Sequence, residues 1–231
     1  MKLGGVPLLE LCQSFARDAQ IPVAVHLDHC DNPDYIRTAL NVGLRSVMAD
    51  GSSLEYEQNV AFTSQMAKLA HVNGSVIEGE LGRISGYEDG MSVSLVRGTM
   101  TNPQQAIDFV ARTRIDSLAV CIGNVHGEYA VEPTLDFGLL RMLQKSINVP
   151  LVLHGSSGLP ERIVQRAIEL GVCKFNVNTE VRQAYVNSLS KFSREKKEQT
   201  FDLPELMEHA ISAMSDVVSG KLKLFGSSRR A

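Results

Sequence analysis

The chain has 231 residues, of which 44% are hydrophobic and 21% charged, so it can form one folded domain with a substantial core. Its formal net charge is −3 and it contains no basic block, which argues against nucleic acid as a partner. No apolar run approaches the roughly 20 residues of a membrane span and the first residues lack a signal-peptide core, so we expect no membrane partner and a cytoplasmic or organelle-stroma location. The four cysteines are scattered with no C-x-x-C pair, which favours free thiols in a reducing compartment.

Short apolar segments, each followed by a segment with helical periodicity, recur at intervals of roughly 30 residues, the length of one unit in an eight-unit (β/α) barrel. The predicted strands cover residues 22–28, 46–49, 75–81, 117–123, 150–154 and 174–178. The predicted helices cover residues 7–19, 33–43, 56–71, 103–110, 136–147, 160–170, the segment from 180 and the segment from 201. This alternation predicts a single α/β domain over residues 1–231 with a parallel sheet. Six units are too few for a closed eight-unit barrel, and a doubly wound sheet is the alternative, although no G-x-G-x-x-G follows any predicted strand.

Residues 84–101 break this alternation. Glycine, serine and acidic residues dominate the segment, and no clear period is present. Irregular segments of this length inside a compact domain are commonly lids or binding loops. We therefore predict a mobile loop beside the functional site.

Polar side chains follow nearly every predicted strand, at the carboxyl end, where parallel α/β folds gather their functional groups. They are Asp28, His29, Asp50, Glu80, Arg83, His126, His154, Asn176, Asn178 and Thr179. Histidines at three such ends could supply three nitrogens to one zinc ion and leave its fourth position open, as in catalytic zinc sites. A lone histidine at a strand end is more often structural, so the pattern alone leaves both interpretations open. We give His26 a supporting role and expect His71 and His209 to be surface or boundary residues.

Two turns of small residues follow the last two predicted strands, and each leads into a helix. Residues 155–158 have the sequence Gly-Ser-Ser-Gly before the helix that Pro160 opens, and residues 176–179 precede the helix from Glu180. Small residues let backbone N–H groups approach an anion, and a helix N-terminus favours negative charge. Singly, each is only a turn and a cap. Together they predict a phosphate site of the kind found in barrel enzymes.

Six motifs occur in order over nearly the whole chain: His-Leu-Asp-His at 26–29, Val-Met-Ala-Asp-Gly-Ser at 47–52, Glu-Gly-Glu-Leu-Gly-Arg at 78–83, Ile-Gly-Asn-Val-His-Gly at 122–127, Leu-Val-Leu-His-Gly-Ser-Ser-Gly at 151–158 and Phe-Asn-Val-Asn-Thr-Glu at 175–180. Together they resemble the class II ketose-bisphosphate aldolases, most closely the fructose- and tagatose-bisphosphate branch. They also resemble the aldolase portion of plant fusion proteins that carry dehydrogenase-like domains. The resemblance implies a TIM (β/α)8-type barrel and reversible, zinc-dependent cleavage of a ketose 1,6-bisphosphate to dihydroxyacetone phosphate and an aldehyde.

The resemblance also implies roles for individual residues. Zinc would be held by His29, His126 and His154, and Asp28 would be the catalytic acid and base. The dihydroxyacetone-phosphate half would be held by Gly127, Gly155, Ser156, Ser157, Asn176, Val177, Asn178 and Thr179. Glu80 would lie near the metal, where family members hold a second or monovalent ion such as Na⁺ or K⁺, and Glu88 in the loop would approach the substrate. Because family members are typically dimers or tetramers, a homo-oligomer is expected.

The chain departs from the family pattern at its start, because the family has two βα units before the His-Leu-Asp-His strand. We therefore expect a barrel that lacks roughly its first two units, with residues 201–231 as a C-terminal helix and tail. Cys30 replaces a usual glycine and Ser53 a common histidine, and neither change removes a predicted metal ligand.

Three other interpretations are open. A catalytically impaired, truncated homologue or pseudoenzyme would carry the same residues. A Schiff-base aldolase would need a lysine in the barrel, and Lys174 is predicted at the wrong end of its strand. A metal-dependent hydrolase would usually need a carboxylate ligand, whereas the two phosphate turns favour a sugar phosphate.

Overall fold

The computed structural model of the protein describes residues 4–88, 91–93, 98–127, 129, 133–195, 202–228 and 230, and nine strands and eight helices lie within these residues. The strands are β1 (His26–Cys30), β2 (Ser46–Ala49), β3 (Val76–Leu81), β4 (Ser85–Glu88), β5 (Met91–Val93), β6 (Ser117–Val120), β7 (Val125–His126), β8 (Leu151–Leu153) and β9 (Val172–Phe175). The helices are α1 (Gly5–Asp18), α2 (Pro33–Asn41), α3 (Tyr56–Val72), α4 (Pro103–Thr113), α5 (Phe137–Ser146), α6 (Glu161–Glu169), α7 (Thr179–Glu195) and α8 (Leu203–Leu224).

Six of these strands form one parallel sheet in the order β1-β2-β3-β6-β8-β9. The sheet curls into part of a barrel. Asn176, just after β9, donates hydrogen bonds of 2.9 Å to Asp28 of β1, although β1 and β9 lie at opposite ends of the strand order. The prediction of six parallel strands in a TIM-barrel-like α/β fold is therefore confirmed.

Side-chain caps and apolar faces explain where the outer helices begin and how they pack. Asn32 and Asn102 cap α2 and α4, and each cap is followed by a proline, which loses no helical hydrogen bond in the first turn. Asp136 caps α5 by accepting a hydrogen bond from the backbone N–H of Leu139. Ile36 of α2 and Phe109 of α4 are fully buried in the core. None of the helices in the described part of the chain combines the length and apolar character of a membrane span.

The segment 84–101 contains more regular structure than its composition predicts. Strands β4 and β5 form an antiparallel hairpin, and β4 also pairs in parallel with β7, which makes a second sheet of three strands. Gly86 permits this pairing, because a Cβ at its φ of +116° would collide with the backbone of His126. The prediction of a segment without its own structure is therefore wrong for β4 and β5. Its mobility stays a prediction, and residues 89–90 and 94–97 lie outside the described part.

Two strand boundaries differ from the prediction in ways that matter for the site. Strand β1 begins at His26 rather than at residue 22, and Val23 before it is half exposed. Strand β9 runs from Val172 to Phe175, so residues 176–178 lie beyond the strand and Lys174 lies inside it. An apolar run indicates that a segment is extended, but it does not indicate where pairing with the neighbouring strand begins.

Candidate active site

A bulge at the end of β1 brings Asp28 and His29 to the same side of the sheet. Leu27 pairs with Val47 and Cys30 with Ala49, so β1 has one more residue than β2 over this stretch. His29 absorbs the extra residue with a positive φ of 44°. In a regular strand, successive side chains would point to opposite faces. Because of the bulge, both side chains can reach the barrel interior.

The three histidines predicted from separate strand ends lie together. Nε2 of His29 is 2.7 Å from Nδ1 of His154. The ring centroid of His126 lies 5.1 Å from that of His29 and 6.3 Å from that of His154. His154 follows β8 and is fully buried, whereas His126 ends β7 and is half-buried. The structure thus brings the three strand-end histidines together, and their role as zinc ligands stays a prediction.

Carboxylates surround His29. Its Nδ1 lies 2.8 Å from Oδ2 of Asp50 and 3.8 Å from Oε2 of Glu80. Burial alone would lower the pKa of His29, but the hydrogen bond to Asp50 and the charges of Glu80 and Asp28 outweigh it and raise the pKa to about 10. For Asp50, burial is likewise outweighed by its bond to His29, which lowers the carboxyl pKa to about 2. The surroundings of His29 therefore favour positive charge.

Glu80 offers a carboxylate oxygen to this cluster. The side chain is buried, and its Oε2 accepts no hydrogen bond from the residues that the structure describes. Burial and, after it, the charge of Asp50 raise the pKa of Glu80 well above its ordinary value. The donor atoms of His29, Asp50 and Glu80 lie within 4.8 Å of one another, and so do those of Asp28, His29 and His154. Two adjoining groups that could hold a cation thus share His29.

Glu78 and Lys174 support His154 from inside the barrel. Nε2 of His154 lies 2.7 Å from Oε1 of Glu78, and Nζ of Lys174 donates to Oε2 of Glu78 at 2.8 Å. Burial would raise the pKa of Glu78, but the bonds from His154 and Lys174 outweigh it and lower the pKa to about 2. An ionised Glu78 accepts the proton of His154 Nε2, which leaves the lone pair of His154 Nδ1 facing His29.

Lys174 was predicted at the start of its strand, which is wrong, and Glu78 had no predicted role. Lys174 is the third residue of β9, and its Nζ points into the interior, 3.5 Å from Nε2 of His26. His26 also faces inward, with its Nδ1 bonded to Ser46 Oγ at 2.7 Å, and its supporting role stays a prediction. The spacing of Glu78 and Glu80, two residues apart along β3, is a sequence signal for this network, because such residues face the same side of a strand.

Asp28 is the accessible carboxylate of the cluster, with 44% of its side chain exposed. Nδ2 of Asn176 donates to both of its oxygens at 2.9 Å and lies 3.2 Å from Nδ1 of His154. These bonds fix the orientation of the Asp28 carboxylate, and the role of Asn176 in holding the dihydroxyacetone-phosphate half stays a prediction. The amide of Asn176 thus connects the carboxylate of Asp28 to the pair formed by His29 and His154.

The two predicted phosphate turns lie side by side. The hydroxyl of Ser157 accepts hydrogen bonds from the backbone of Asn178 and Glu180, at 3.2 and 3.4 Å, and so joins residues 155–158 to the start of α7. Ser156 is buried, and both its amide and its hydroxyl donate to backbone carbonyls, so it holds the shape of the turn. A cavity of about 530 Å³ lies here, and its wall includes Gly127, Ser157, Gly158, Thr179 and Glu180.

The remaining predicted residues are located as follows. Gly155 turns the chain with a φ of +61° directly after His154, and Val177 is half-buried between the two asparagines. Glu88 ends β4, and its side chain lies outside the described part of the structure. His71 pairs with Asp116 on the surface at 3.0 Å, as expected for a residue outside the site.

The curled parallel sheet and the side chains gathered at its carboxyl ends define the class: a barrel enzyme of the α/β type, with its candidate site at the usual end of the strands. The particular family follows from comparison with known proteins. The family model described as fructose-bisphosphate aldolase class-II matches residues 1–230. The chain belongs to this family of lyases, as the sequence motifs predicted.

Individual relatives agree with this assignment. The chain is 42% identical over 219 residues to the D-tagatose-1,6-bisphosphate aldolase subunit GatY of Klebsiella oxytoca, a match that covers 95% of this chain and 77% of that protein. It is similar to the solved structure of a candidate fructose-1,6-bisphosphate aldolase from Coccidioides immitis, with a TM-score of 0.89, 32% identity and coverage of 97% and 78% of the two chains. The YdjI aldolase of Escherichia coli K12 matches with a TM-score of 0.84, 35% identity and coverage of 97% and 77%.

Proposed function

We propose that the protein is a zinc-dependent aldolase that reversibly cleaves a ketose 1,6-bisphosphate, of the fructose or tagatose type, to dihydroxyacetone phosphate and an aldehyde. The observation that carries the proposal is the convergence of His29, His126 and His154 beside the accessible carboxylate of Asp28. Family membership and the tagatose-bisphosphate aldolase relative support the aldol reaction class. The cytoplasmic or stromal location and the dimeric or tetrameric state stay predictions.

The residues present fit a metal ion. Nε2 of His29 and Nδ1 of His154 face each other at 2.7 Å, and Glu80 Oε2 is a buried carboxylate oxygen without a hydrogen-bond partner among the described residues. Imidazole nitrogens are common zinc ligands. His29, His126 and His154 would hold zinc, and Glu80 with Asp50 would hold a second or monovalent cation such as Na⁺ or K⁺. When bound, zinc supplies a Lewis acid for the ketone carbonyl of the substrate.

Asp28 moves the proton in this proposal. In cleavage its carboxylate takes the proton of the C4 hydroxyl while the C3–C4 bond breaks, so that C4 becomes the aldehyde carbonyl and the electron pair stays on C3 of the three-carbon half. C3 then takes up one proton to give dihydroxyacetone phosphate, which balances the proton lost from the C4 hydroxyl. In condensation Asp28 returns the proton to the new hydroxyl. Asn176 keeps the carboxylate oriented, since its amide donates to both oxygens.

The phosphate of the three-carbon half would lie against the two turns. The wall of the cavity includes Gly127, Ser157 and Thr179. Gly155 and Asn178 shape it, because Gly155 turns the chain and the backbone N–H of Asn178 donates to Ser157 Oγ. Backbone N–H groups at such turns suit a phosphate because they bring positive dipoles close to it. Ser156 and Val177 would act by holding the turns in shape.

The experiment is an assay of dihydroxyacetone phosphate release from fructose and tagatose 1,6-bisphosphates, before and after treatment with EDTA. We expect EDTA to abolish release, added zinc to restore it, and borohydride with substrate to leave Lys174 unmodified in mass spectrometry. Release that persists in EDTA, or a borohydride adduct on Lys174, would point to Schiff-base chemistry. Liberation of inorganic phosphate without dihydroxyacetone phosphate would point to a hydrolase.

A catalytically impaired homologue is the second candidate, and one observation favours it. Asp28 and His29 lie on β1, which is an outermost strand of the six-stranded sheet in the described residues. An outermost strand has backbone groups without a neighbouring strand on one side and is held less firmly. A cooperative thermal transition that zinc raises supports the working aldolase, whereas a broad transition that is indifferent to zinc supports the impaired homologue.

A further inference from the structure

Helix α8 reaches the candidate phosphate turns through one charged side chain. Nζ of Lys221 lies 2.9 Å from Oε1 and 2.6 Å from Oε2 of Glu180, in the first turn of α7. Only 17% of the Lys221 side chain and 28% of the Glu180 side chain are exposed. The pair is therefore partly shielded from water and differs from the exposed ion pairs that contribute little. A residue more than 60 positions beyond the Gly-Ser-Ser-Gly turn in the chain thus lies beside it.

Glu180 connects this lysine to both turns. Its Oε1 also accepts a hydrogen bond from the backbone N–H of Gly158, and its own backbone N–H donates to Ser157 Oγ at 3.4 Å. Glu180 therefore links residues 155–158 to the start of α7, and it borders the 530 Å³ cavity. Helix α8 borders the same cavity at Val217, one turn before Lys221.

The position of Glu180 raises an electrostatic difficulty for the proposed ligand. A phosphate monoester carries a charge of about −1.5 to −2 at neutral pH, and a carboxylate on the wall of its cavity repels it. Lys221 contacts both carboxylate oxygens, so it neutralises this charge. The same contact keeps the carboxylate directed at Gly158, which holds the first turn in place.

We propose that Lys221 is a positioning residue for the phosphate end of the substrate, acting through Glu180 on the turn at 155–158. The inference rests on the proposed function, because it assumes that this cavity takes the dihydroxyacetone-phosphate half. It adds that the C-terminal helix sets the affinity for the phosphate and leaves the chemistry at Asp28 unchanged.

The test compares K221M with K223M. Lys223 lies in the same last turn of α8 and is exposed, so K223M makes the same change of charge without touching Glu180. We expect K221M to weaken the binding of dihydroxyacetone phosphate, measured by calorimetry. We also expect it to raise the KM for the ketose bisphosphate by about tenfold, which is the scale of one charge-assisted hydrogen bond. The kcat and the zinc affinity should stay near those of the wild type. K221R, which keeps the charge, should recover most of the affinity.

The double variant E180Q/K221M distinguishes the effect of an unpaired Glu180 charge from a general effect on folding. It removes both charges of the pair and leaves no unpaired carboxylate. We expect it to bind dihydroxyacetone phosphate better than K221M does. The inference is overturned if K221M and K223M bind dihydroxyacetone phosphate equally well, or if K221M loses kcat and zinc together at an unchanged KM. If the wild-type protein itself binds no dihydroxyacetone phosphate, the proposed function fails and this inference fails with it.

Discussion

The histidine cluster and the phosphate turns, the two halves of the candidate site, are formed by different parts of the chain: side chains in the first and mainly backbone in the second. The histidine cluster is made of side chains, and its key atoms are fixed by other side chains: Asp50 holds His29, and Glu78 holds His154. The phosphate turns are made mainly of backbone, and glycines with positive φ and the Ser157 hydroxyl fix their shape. The first region should therefore be broken by removing a charge or a donor, and the second by adding a Cβ.

The largest expected effect comes from the reacting carboxylate of the side-chain region. D28N keeps the shape of the side chain and the contact with Asn176 but removes the proton acceptor. We expect kcat to fall by about 10² to 10⁴-fold, the usual contribution of a general acid or base, with little change in zinc affinity. Initial-rate kinetics and a zinc titration of the same sample measure the two quantities. A D28N protein with wild-type kcat would remove Asp28 from the proposed chemistry.

A smaller effect is expected from the residue that orients His154. E78Q removes the charge that accepts from His154 Nε2 and from Lys174, so the lone pair of His154 Nδ1 is no longer fixed toward His29. Losses of about 10 to 100-fold in metal affinity are typical for such supporting residues.

Zinc affinity of E78Q is measured by competition with a chromophoric chelator, and ¹⁵N shifts of the His154 ring report the tautomer without any metal. The matched control is E57Q, which removes an exposed carboxylate paired with Arg112. Equal zinc affinity in E78Q and E57Q would mean that Glu78 does not orient His154.

The smallest of the three effects tests the backbone region. G155A adds a Cβ that, at a φ of +61°, would collide with the carbonyl group of Val125. We expect a loss of about 1–3 kcal/mol in unfolding free energy, as for other strained backbone positions, and weaker binding of dihydroxyacetone phosphate. The control is G220A in α8, where a Cβ meets open space and should stabilise the helix by about 0.5–1 kcal/mol. Identical denaturation curves for G155A and the wild type would show that the turn does not need its glycine.

Features that follow from a regular pattern along the chain could be predicted from sequence. The six parallel strands were predictable because apolar segments alternate with helical ones at a regular spacing. The histidine cluster was predictable because parallel strands end on one side of a sheet. By contrast, regular alternation would separate Asp28 from His29, and the bulge that joins them depends on one extra residue relative to β2.

Other features depended on contacts between segments that are distant in the chain. Lys174 was assigned to the wrong end of its strand, since the register of β9 is set by pairing with β8. The contact of Asn176 with Asp28 was not predicted, because the curl of the sheet brings these residues together from opposite ends of the strand order. The hairpin of β4 and β5 has a glycine-rich composition without a clear period, and its pairing with β7, a strand much further along the chain, helps to define it. None of these partners is local in sequence.

The central claim, that His29, His126 and His154 together hold zinc, is tested most directly by X-ray absorption at the zinc edge of the zinc-loaded protein. His126 is the decisive residue, because its ring lies farther from the other two than they lie from each other. We expect nitrogen ligands at about 2.0–2.1 Å with the scattering of three imidazoles, falling to two in H126A. An H126A spectrum identical to that of the wild type, or sulfur ligands at about 2.3 Å, would contradict it.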